Sequence, residues 1–402
     1  MANAHMSPSA STAPSFTTFF WFAVWAGITV ACIYLCQPLL HAIGQELHLS
    51  DREASLVATA TQVGYGVGIF TLVPLGDFFS RRRLIQVKCV LLAVATLACS
   101  FAHTLPLLAT ASFFVGIFAT TAQDIVPIAA ELAPPDRRGR YVSYVMSGLI
   151  LGILLSRTLS GWIAGLAGWR TVFVAGSGAV LGCLVTTFFF FPELPAREGK
   201  RSIGAVYASM LGLLREHPLL RLSVLRHGLM GFSFSAFWTT LAFFLSQPPY
   251  EWSPPKIGMM GLAGAAGVLG STVAGRLADE RGPLFAIRIA TVTAFVSFAV
   301  MGLFGTRTLV LVGGTVLFDV AVQMSLVSHQ SIVYGLDPNA RARLNGIFVS
   351  VLFLCFSLGS LCAGALWARW GWGAVMGTAC IATAISFALT LVRVQSRAPV
   401  VR

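Results

Sequence analysis

The stretch "RGRYVSYVMSGLILGILLSRTLSGWIAGLAGW" (residues 138–169) has a counterpart in "RARLNGIFVSVLFLCFSLGSLCAGALWARWGW" (341–372), aligned without a gap at an offset of 203. Arg138 meets Arg341, Arg140 meets Arg343, Gly161 meets Gly364, and the pair Gly168–Trp169 meets Gly371–Trp372. A second match supports the first: "PLGD" (74–77) falls opposite "RLAD" (276–279) at an offset of 202. Arginines, glycines and a Gly-Trp pair recurring at one spacing describe an internal repeat. Each copy opens on arginines and runs on for longer than the ~20 apolar residues that cross a hydrocarbon core.

Outward from this repeat, the whole chain has the same character. Of its 402 residues, 56% are hydrophobic and only 10% charged, and the mean hydropathy is +0.80. Soluble domains carry roughly 25% charged residues, so a soluble globular protein is excluded. The period-2 alternation of a membrane β-barrel is absent. The composition predicts an all-α polytopic membrane protein with twelve transmembrane helices in two pseudo-symmetric six-helix bundles. The spans read as 16–41, 52–76, 84–103, 106–131, 140–166, 170–191, 220–246, 256–275, 284–304, 308–334, 342–367 and 373–394. The organisation is then a disordered tail (1–15), a first bundle (16–191), a linker with an amphipathic helix (192–219), a second bundle (220–394) and a C-terminal tail (395–402). The start of the chain lacks the basic region of a cleavable signal peptide.

The formal charge of +12 belongs to the connectors, which excludes nucleic acid as the reason for it and points to topology and lipid contact. Arg81 to Arg83, Arg137 to Arg140, the linker, Arg276 with Arg281, and Arg341 with Arg343 all fall on one side. The positive-inside rule then places both termini in the cytoplasm. All eight cysteines lie in apolar segments and are expected to be free, buried thiols. No Cys/His cluster has metal-ligand spacing, so no metal is expected.

Charges inside the spans are the candidates for function, because a charge at mid-bilayer costs about 2.5–3.5 kcal/mol on insertion scales. They are Asp124, Arg157, Asp319 and His329, with Arg226 near the inner end of span 7. At ~1.5 Å per residue, Arg157 and Asp319 come out within a few ångströms of one depth, whereas Arg157 and Asp124 differ by about 14 Å. The expectation is that Asp319 answers Arg157 across the interface between halves, and that breaking this pair lets the carboxylate take a proton. A static bridge is the alternative. Asp124 is a second protonation candidate, and His329 a proton relay or a helix–helix hydrogen-bonder. The span amides Gln37, Gln62, Gln123, Gln323, Gln330 and Asn345, with Tyr34, Tyr65 and Trp238, are candidates for the cavity lining.

The loop "VPLGDFFSRRR" (73–83) and its second copy "GRLADERGP" (275–283) resemble the signature loop G-x-L-A-D-R-x-G-R-K/R of the Major Facilitator Superfamily. The first copy matches at Leu75, Asp77, Arg81 and Arg82, and departs at Val73, Phe78 and Ser80. The second keeps Gly275, Leu277, Asp279 and Gly282. Further stretches, "YLCQPLL" (34–40), "LSRTLSG" (155–161) and "FDVAVQMSLVSHQSIVYGLDPNARARLNG" (318–346), are similar to its bacterial drug- and metabolite-efflux branch, which includes exporters of arabinose-type sugars and purine ribonucleosides. The branch departs here in two places. Ser112 stands where the usual span-4 arginine precedes Gly116, and "SRTLSG" replaces the usual Gly-Pro pair of span 5.

The resemblance implies a monomeric, multi-pass transporter of the bacterial cytoplasmic (inner) membrane, exporting a small organic molecule by proton antiport. The partners implied are that substrate, protons and membrane lipids, with no cofactor beyond the proton gradient. It implies an inner gate at Asp77, Arg81, Arg82, Gly275 and Asp279, where an aspartate at a helix end accepts from a facing helix N-terminus. A proton-coupled importer or a uniporter remains the alternative. An ATP-driven pump would need a G-x-x-x-x-G-K-[ST] loop, which is absent, and an enzyme would need a nucleophile–base pair or a metal cluster.

Overall fold

The computed structural model describes residues 16–392 apart from 135, 193, 195–201, 265–266 and 338–339. The expected tails at 1–15 and 395–402 lie outside the described residues. Everything described is helix or short connection. Nine of the described helices are long and apolar enough to cross a membrane by themselves. Three further crossings are hidden by breaks and by one fusion.

Span 1 is Phe16–Ala31, then a stretch without regular helix, a 3-10 turn Gln37–Leu39 and a short helix Leu40–Glu46. Pro38 has no N–H to give the helix and crowds the preceding turn, so the chain unwinds beside Gln37. Span 2, Asp51–Leu72, starts on a capping box in which Ser50 and Glu53 satisfy each other's backbone N–H. Span 3 is Arg81–Ser100, and span 4 is split into Leu105–Phe118 and Thr121–Leu132. Span 5 (Arg138–Ala167) and span 6 (Trp169–Phe190) meet at Gly168 with φ +82°. After the linker helix Ile203–Glu216 come span 7 (Pro218–Ser246) and span 8, which is broken into Pro254–Gly258, Met260–Gly264 and Gly267–Arg281. Spans 9 and 10 are Pro283–Phe304 and Thr308–Tyr334. Arg341–Leu389 runs on as one helix but holds spans 11 and 12, divided at Gly371 with φ +67°.

The repeat read from the sequence is thus a repeat in backbone. Gly168 and Gly371 are the same turn, in a left-handed conformation that favours glycine. The tryptophan after each turns back to a neighbouring span: Trp169 Nε1 donates to Glu46 Oε2 at 2.6 Å, and Trp372 Nε1 to the Met301 carbonyl at 2.9 Å.

The end carrying residues 16 and 392 and the linker helix is called here the linker end, and the opposite one the far end. The halves meet at the far end. Thr59 Oγ1 donates to Ser360 Oγ at 2.9 Å, and Trp367 Nε1 to Asp51 Oδ2 at 2.8 Å, joining spans 2 and 11. Spans 5 and 8 touch backbone to backbone at Gly161 and Gly258, and Thr158 Oγ1 donates to the Gly258 carbonyl at 3.1 Å. Small residues permit this approach where lipid supplies no hydrophobic drive.

At the linker end the halves part around a cavity of about 430 Å³. The linker helix straps it: Tyr207 Oη donates to the Thr71 carbonyl at 2.7 Å in the first half, and Arg343 of the second half donates to Ser209 Oγ at 2.8 Å.

The expectation that all thiols are buried needs correcting. All eight cysteines are free, but Cys362 is exposed and Cys355 and Cys380 are half-exposed. They stand on spans 11 and 12, where Cys355 still packs against Gly228 of span 7 and Cys380 against the Phe295 carbonyl of span 9.

Candidate functional site

A central cavity of about 410 Å³ lies between the halves, within the usual size range for small-molecule sites. Tyr34, Tyr65, Gln123 and Arg157 enter it from the first half; His227 and Asp319 enter from the second. Gln123 also stands in the wall of the linker-end cavity, so the two spaces adjoin.

Arg157 is held at the break in span 1. Its Nε donates to Gln37 Oε1 at 2.7 Å, which the unwound turn at Pro38 presents. The guanidinium lies between two rings, 4.7 Å from the Tyr34 centroid and 4.2 Å from that of Trp238. Cation–π contacts of this kind gain strength when desolvated, and only 3% of Arg157 is exposed. Two aromatic faces and one amide therefore keep a cation in an apolar bundle without an anion on it.

Asp319 lines the same cavity as Arg157. The direct ion pair expected from their depth is not formed: among the described residues, the ion pairs within 4.0 Å do not include it. The face of the Trp238 indole, 4.2 Å from the guanidinium, meets the charge of Arg157 instead. Among the described residues, three buried polar atoms here have no hydrogen-bond partner: Arg157 Nη2, Trp238 Nε1 and Asp319 Oδ2. The middle piece of span 8 binds the group together. A Cβ at Gly261 would lie 3.0 Å from that of Arg157, and one at Gly264 would lie 2.9 Å from Asp319 Oδ2 and 3.1 Å from the Trp238 ring.

Asp124 belongs elsewhere. Lys88 Nζ reaches its Oδ2 at 2.7 Å, with both side chains buried. Sequence reading passed over Lys88, which sits one helical turn or so past the arginine run that opens span 3 and so looks like part of the charged edge. The signal was there: Lys88 is flanked by Val87 and Cys89 and falls level with Asp124, on the neighbouring span. His227 was also passed over, because it follows Arg226 near the start of span 7. It forms a buried cluster with His329, the rings 5.6 Å apart, and Ser325 Oγ lies 3.0 Å from His227 Nδ1. His329 Nδ1 is 2.8 Å from the Ser325 carbonyl, and its Nε2 has no partner.

Arg226 is structural in its contacts, donating to the Leu389 carbonyl at 2.6 and 3.1 Å where span 12 ends. A cation there satisfies carbonyls that the helix cannot.

The amides divide the same way. Gln62 Oε1 accepts from Ser235 Oγ at 3.0 Å, joining spans 2 and 7, and Gln123 Nε2 donates to Tyr65 Oη at 3.1 Å. Asn345 Oδ1 accepts from Tyr334 Oη at 2.9 Å, with Gln330 Nε2 at 3.5 Å. Gln323 faces the central cavity. At the linker end, Arg81 pairs with Glu131 at 2.8 Å and Arg82 donates to the Phe188 carbonyl at 2.9 Å. Asp77 lines the open cavity there, while Gly275 and Asp279 stand near the corresponding end of span 8. Those contacts of Arg81 and Arg82 stay within the first half.

With the geometry in place, comparison with known proteins is informative. A family model described as Major Facilitator Superfamily matches residues 15–336. The uncharacterized transporter YgaY of Escherichia coli is 35% identical over 353 residues, 88% of this chain and 89% of that one. The uncharacterized MFS-type transporter YybF of Bacillus subtilis is 23% identical over 376 residues, 90% of this chain and 89% of that one. Among solved structures, a bacterial homologue of the human lysosomal transporter Spinster, inward-facing and occupied, superposes with a TM-score of 0.73 at 15% identity, covering 93% of both chains. A mutant of the nucleoside transporter NupG gives a TM-score of 0.75 at 12% identity, over 93% of this chain and 98% of that one.

Proposed function

The chain belongs to the Major Facilitator Superfamily, and from that premise we propose that it exports a small organic molecule from the cytoplasm by proton antiport. It is a membrane-spanning transporter and not an enzyme. The linker end, which carries the arginine-rich connectors, faces the cytoplasm of a bacterial inner membrane by the positive-inside rule. The conformation described above is then inward-facing, with the central cavity adjoining the cytoplasmic vestibule and sealed on the outside.

The observation that carries the reading is Asp319 Oδ2, a buried carboxylate oxygen without a hydrogen-bond donor among the described residues, in a cavity shared by both halves. An unpartnered polar group in an apolar place costs roughly 1–3 kcal/mol, more if charged. A proton on Asp319 lowers that cost by removing the charge, and a donor group on a substrate lowers it by partnering the oxygen. Both occupy the same oxygen, so they exclude each other, which is what exchange requires. Arg157, fixed between Tyr34 and Trp238, supplies a positive field that favours release of the proton when substrate arrives. Rocking of the halves about the central site then carries substrate out and the proton in. Asp124, paired with Lys88, and His329, beside His227, are secondary protonation candidates. Asp77, Arg81, Arg82, Gly275 and Asp279 close the vestibule in the opposite state. The protein acts as a monomer in its lipid, with no cofactor.

The test is purified protein in liposomes with an imposed pH gradient. Antiport requires substrate to move against the proton flow, and Asp319→Asn to abolish that movement while the protein still inserts. Substrate moving with protons makes it an importer, and movement indifferent to the gradient makes it a uniporter.

A further inference from the structure

The central cavity has a polar end and an apolar body, and the two together specify a ligand. The polar end is Asp319 Oδ2 as acceptor and Arg157 Nη2 as donor, both without a partner among the described residues, while Trp238 Nε1 lies behind Arg157 on a small void and not in the cavity wall. All three side chains are more than nine-tenths buried, at 7%, 3% and 4% exposure. Trp238 and Asp319 meet around Gly264, and Arg157 stacks on Trp238, so the trio occupies one small region spanning both halves. The body is aliphatic and aromatic, with Met146, Ile150, Leu326, Val349 and Phe353 among its walls.

A void of about 10 Å³ behind Arg157 and Trp238 has the size of a single water. A water there serves the two donors alone, because Asp319 does not line that void. Asp319 has the Trp238 indole beside it around Gly264, so any further donor to its carboxylate comes from the large cavity.

Charge narrows the class further. The polar end holds one guanidinium and one carboxylate, which together are neutral. A cationic head leaves an extra positive charge beside Arg157 in a low-dielectric space, and an anionic head sets two acceptors against Asp319. A quaternary ammonium, in addition, has no hydrogen to donate. We propose that this site takes uncharged amphipathic molecules whose polar head both donates and accepts hydrogen bonds, a primary carboxamide or a hydroxyl, on an aromatic or aliphatic body. The head donates to Asp319 Oδ2 and accepts from Arg157. This rests on the reading of the central cavity as the transport site and adds the class of molecule it selects.

The experiment is calorimetric titration of the full-length protein in lipid nanodiscs, without any gradient, using four probes on one body. They are 4-phenylbutanamide, its N,N-dimethyl amide, 4-phenylbutanoate and trimethyl(4-phenylbutyl)ammonium. The expected result is that the primary amide binds at least about 10-fold more tightly than the dimethyl amide, which cannot donate, and more tightly than either ion. In Asp319→Leu, with its unfolding temperature measured alongside, that preference collapses to about one. Should Asp319→Leu fail to fold, Asp319→Asn gives the second reading, a smaller preference for the primary amide, because an amide oxygen accepts more weakly than a carboxylate. Equal binding of the two amides, tighter binding of either ion, binding of none of the four, or a preference that survives in Asp319→Leu overturns the assignment. Transport in the pH-gradient assay separates the two claims. Amide preference without proton-driven exchange sinks the antiport reading alone, and proton-driven exchange without amide preference sinks only this one.

Discussion

Lys88 and Asp124 form a buried ion pair within the first half, Nζ to Oδ2 at 2.7 Å between spans 3 and 4. Arg157 and Asp319, which face one cavity from opposite halves, make no such pair. One buried carboxylate is thus paired within the first half, and the one facing the cavity between the halves is not. Desolvation makes the first arrangement costly to break on one side alone.

Removing one member of the Lys88–Asp124 pair strands the other. Lys88→Met is expected to destabilise the protein by about 3–5 kcal/mol, while Lys88→Met with Asp124→Leu returns most of that loss. Thermal unfolding in detergent measures both. The folded double variant also decides a role: retained proton-driven transport removes Asp124 from the protonation candidates.

The stacked cation makes a different prediction. Arg157→Lys keeps the charge but loses the planar guanidinium and the Nε donor that Gln37 accepts from. Transport is expected to fall at least about 10-fold, the value of a lost charge-assisted hydrogen bond of about 1.5 kcal/mol or more. Uptake into liposomes at matched protein content measures it, and activity close to that of the unaltered protein would show that the stacking between Tyr34 and Trp238 has no part in transport.

The far-end seal can be locked. Thr59 and Ser360 share a hydrogen bond at 2.9 Å between halves. Thr59→Cys with Ser360→Cys, in a background whose eight native cysteines are replaced, is expected to cross-link on oxidation and stop transport. Dithiothreitol should restore it. Full transport in the cross-linked protein would mean the halves do not part there.

Much of this was legible in the sequence. The apolar runs gave twelve crossings, and the repeat at residues 138–169 and 341–372 gave the pseudo-symmetry that reappears as two left-handed glycines, Gly168 and Gly371. What sequence hides is interruption: Pro38 announces the break in span 1, but nothing so plain marks the breaks in spans 4 and 8. It also hides which side of a helix a charge takes. Equal depth suggested that Arg157 would touch Asp319, yet an indole and an amide compete for the same guanidinium, and depth along the membrane carries no information on that competition. Lys88 was missed for the converse reason, that a cation one turn from an arginine cluster reads as part of it.

The contact of spans 5 and 8 separates a tolerable crowding from an intolerable one. At Gly264 an added methyl meets the Asp319 carboxylate and the Trp238 ring, ends of side chains that can swing aside. At Gly258 it meets the Arg157 carbonyl at 2.7 Å, which belongs to a helix backbone and cannot. Gly264→Ala is therefore expected to alter ligand affinity while leaving the conformational balance in place. Gly258→Ala forces the far ends of the halves apart and shifts the protein toward the state open on that side. A cysteine at position 158, near the closed contact through Thr158 and the Gly258 carbonyl, reports the difference in the cysteine-free background. Its labelling by a membrane-impermeant maleimide added from the far side should rise with Gly258→Ala and stay low with Gly264→Ala. Equal labelling in the two would mean that the halves pivot elsewhere and that this close approach is packing without consequence for gating.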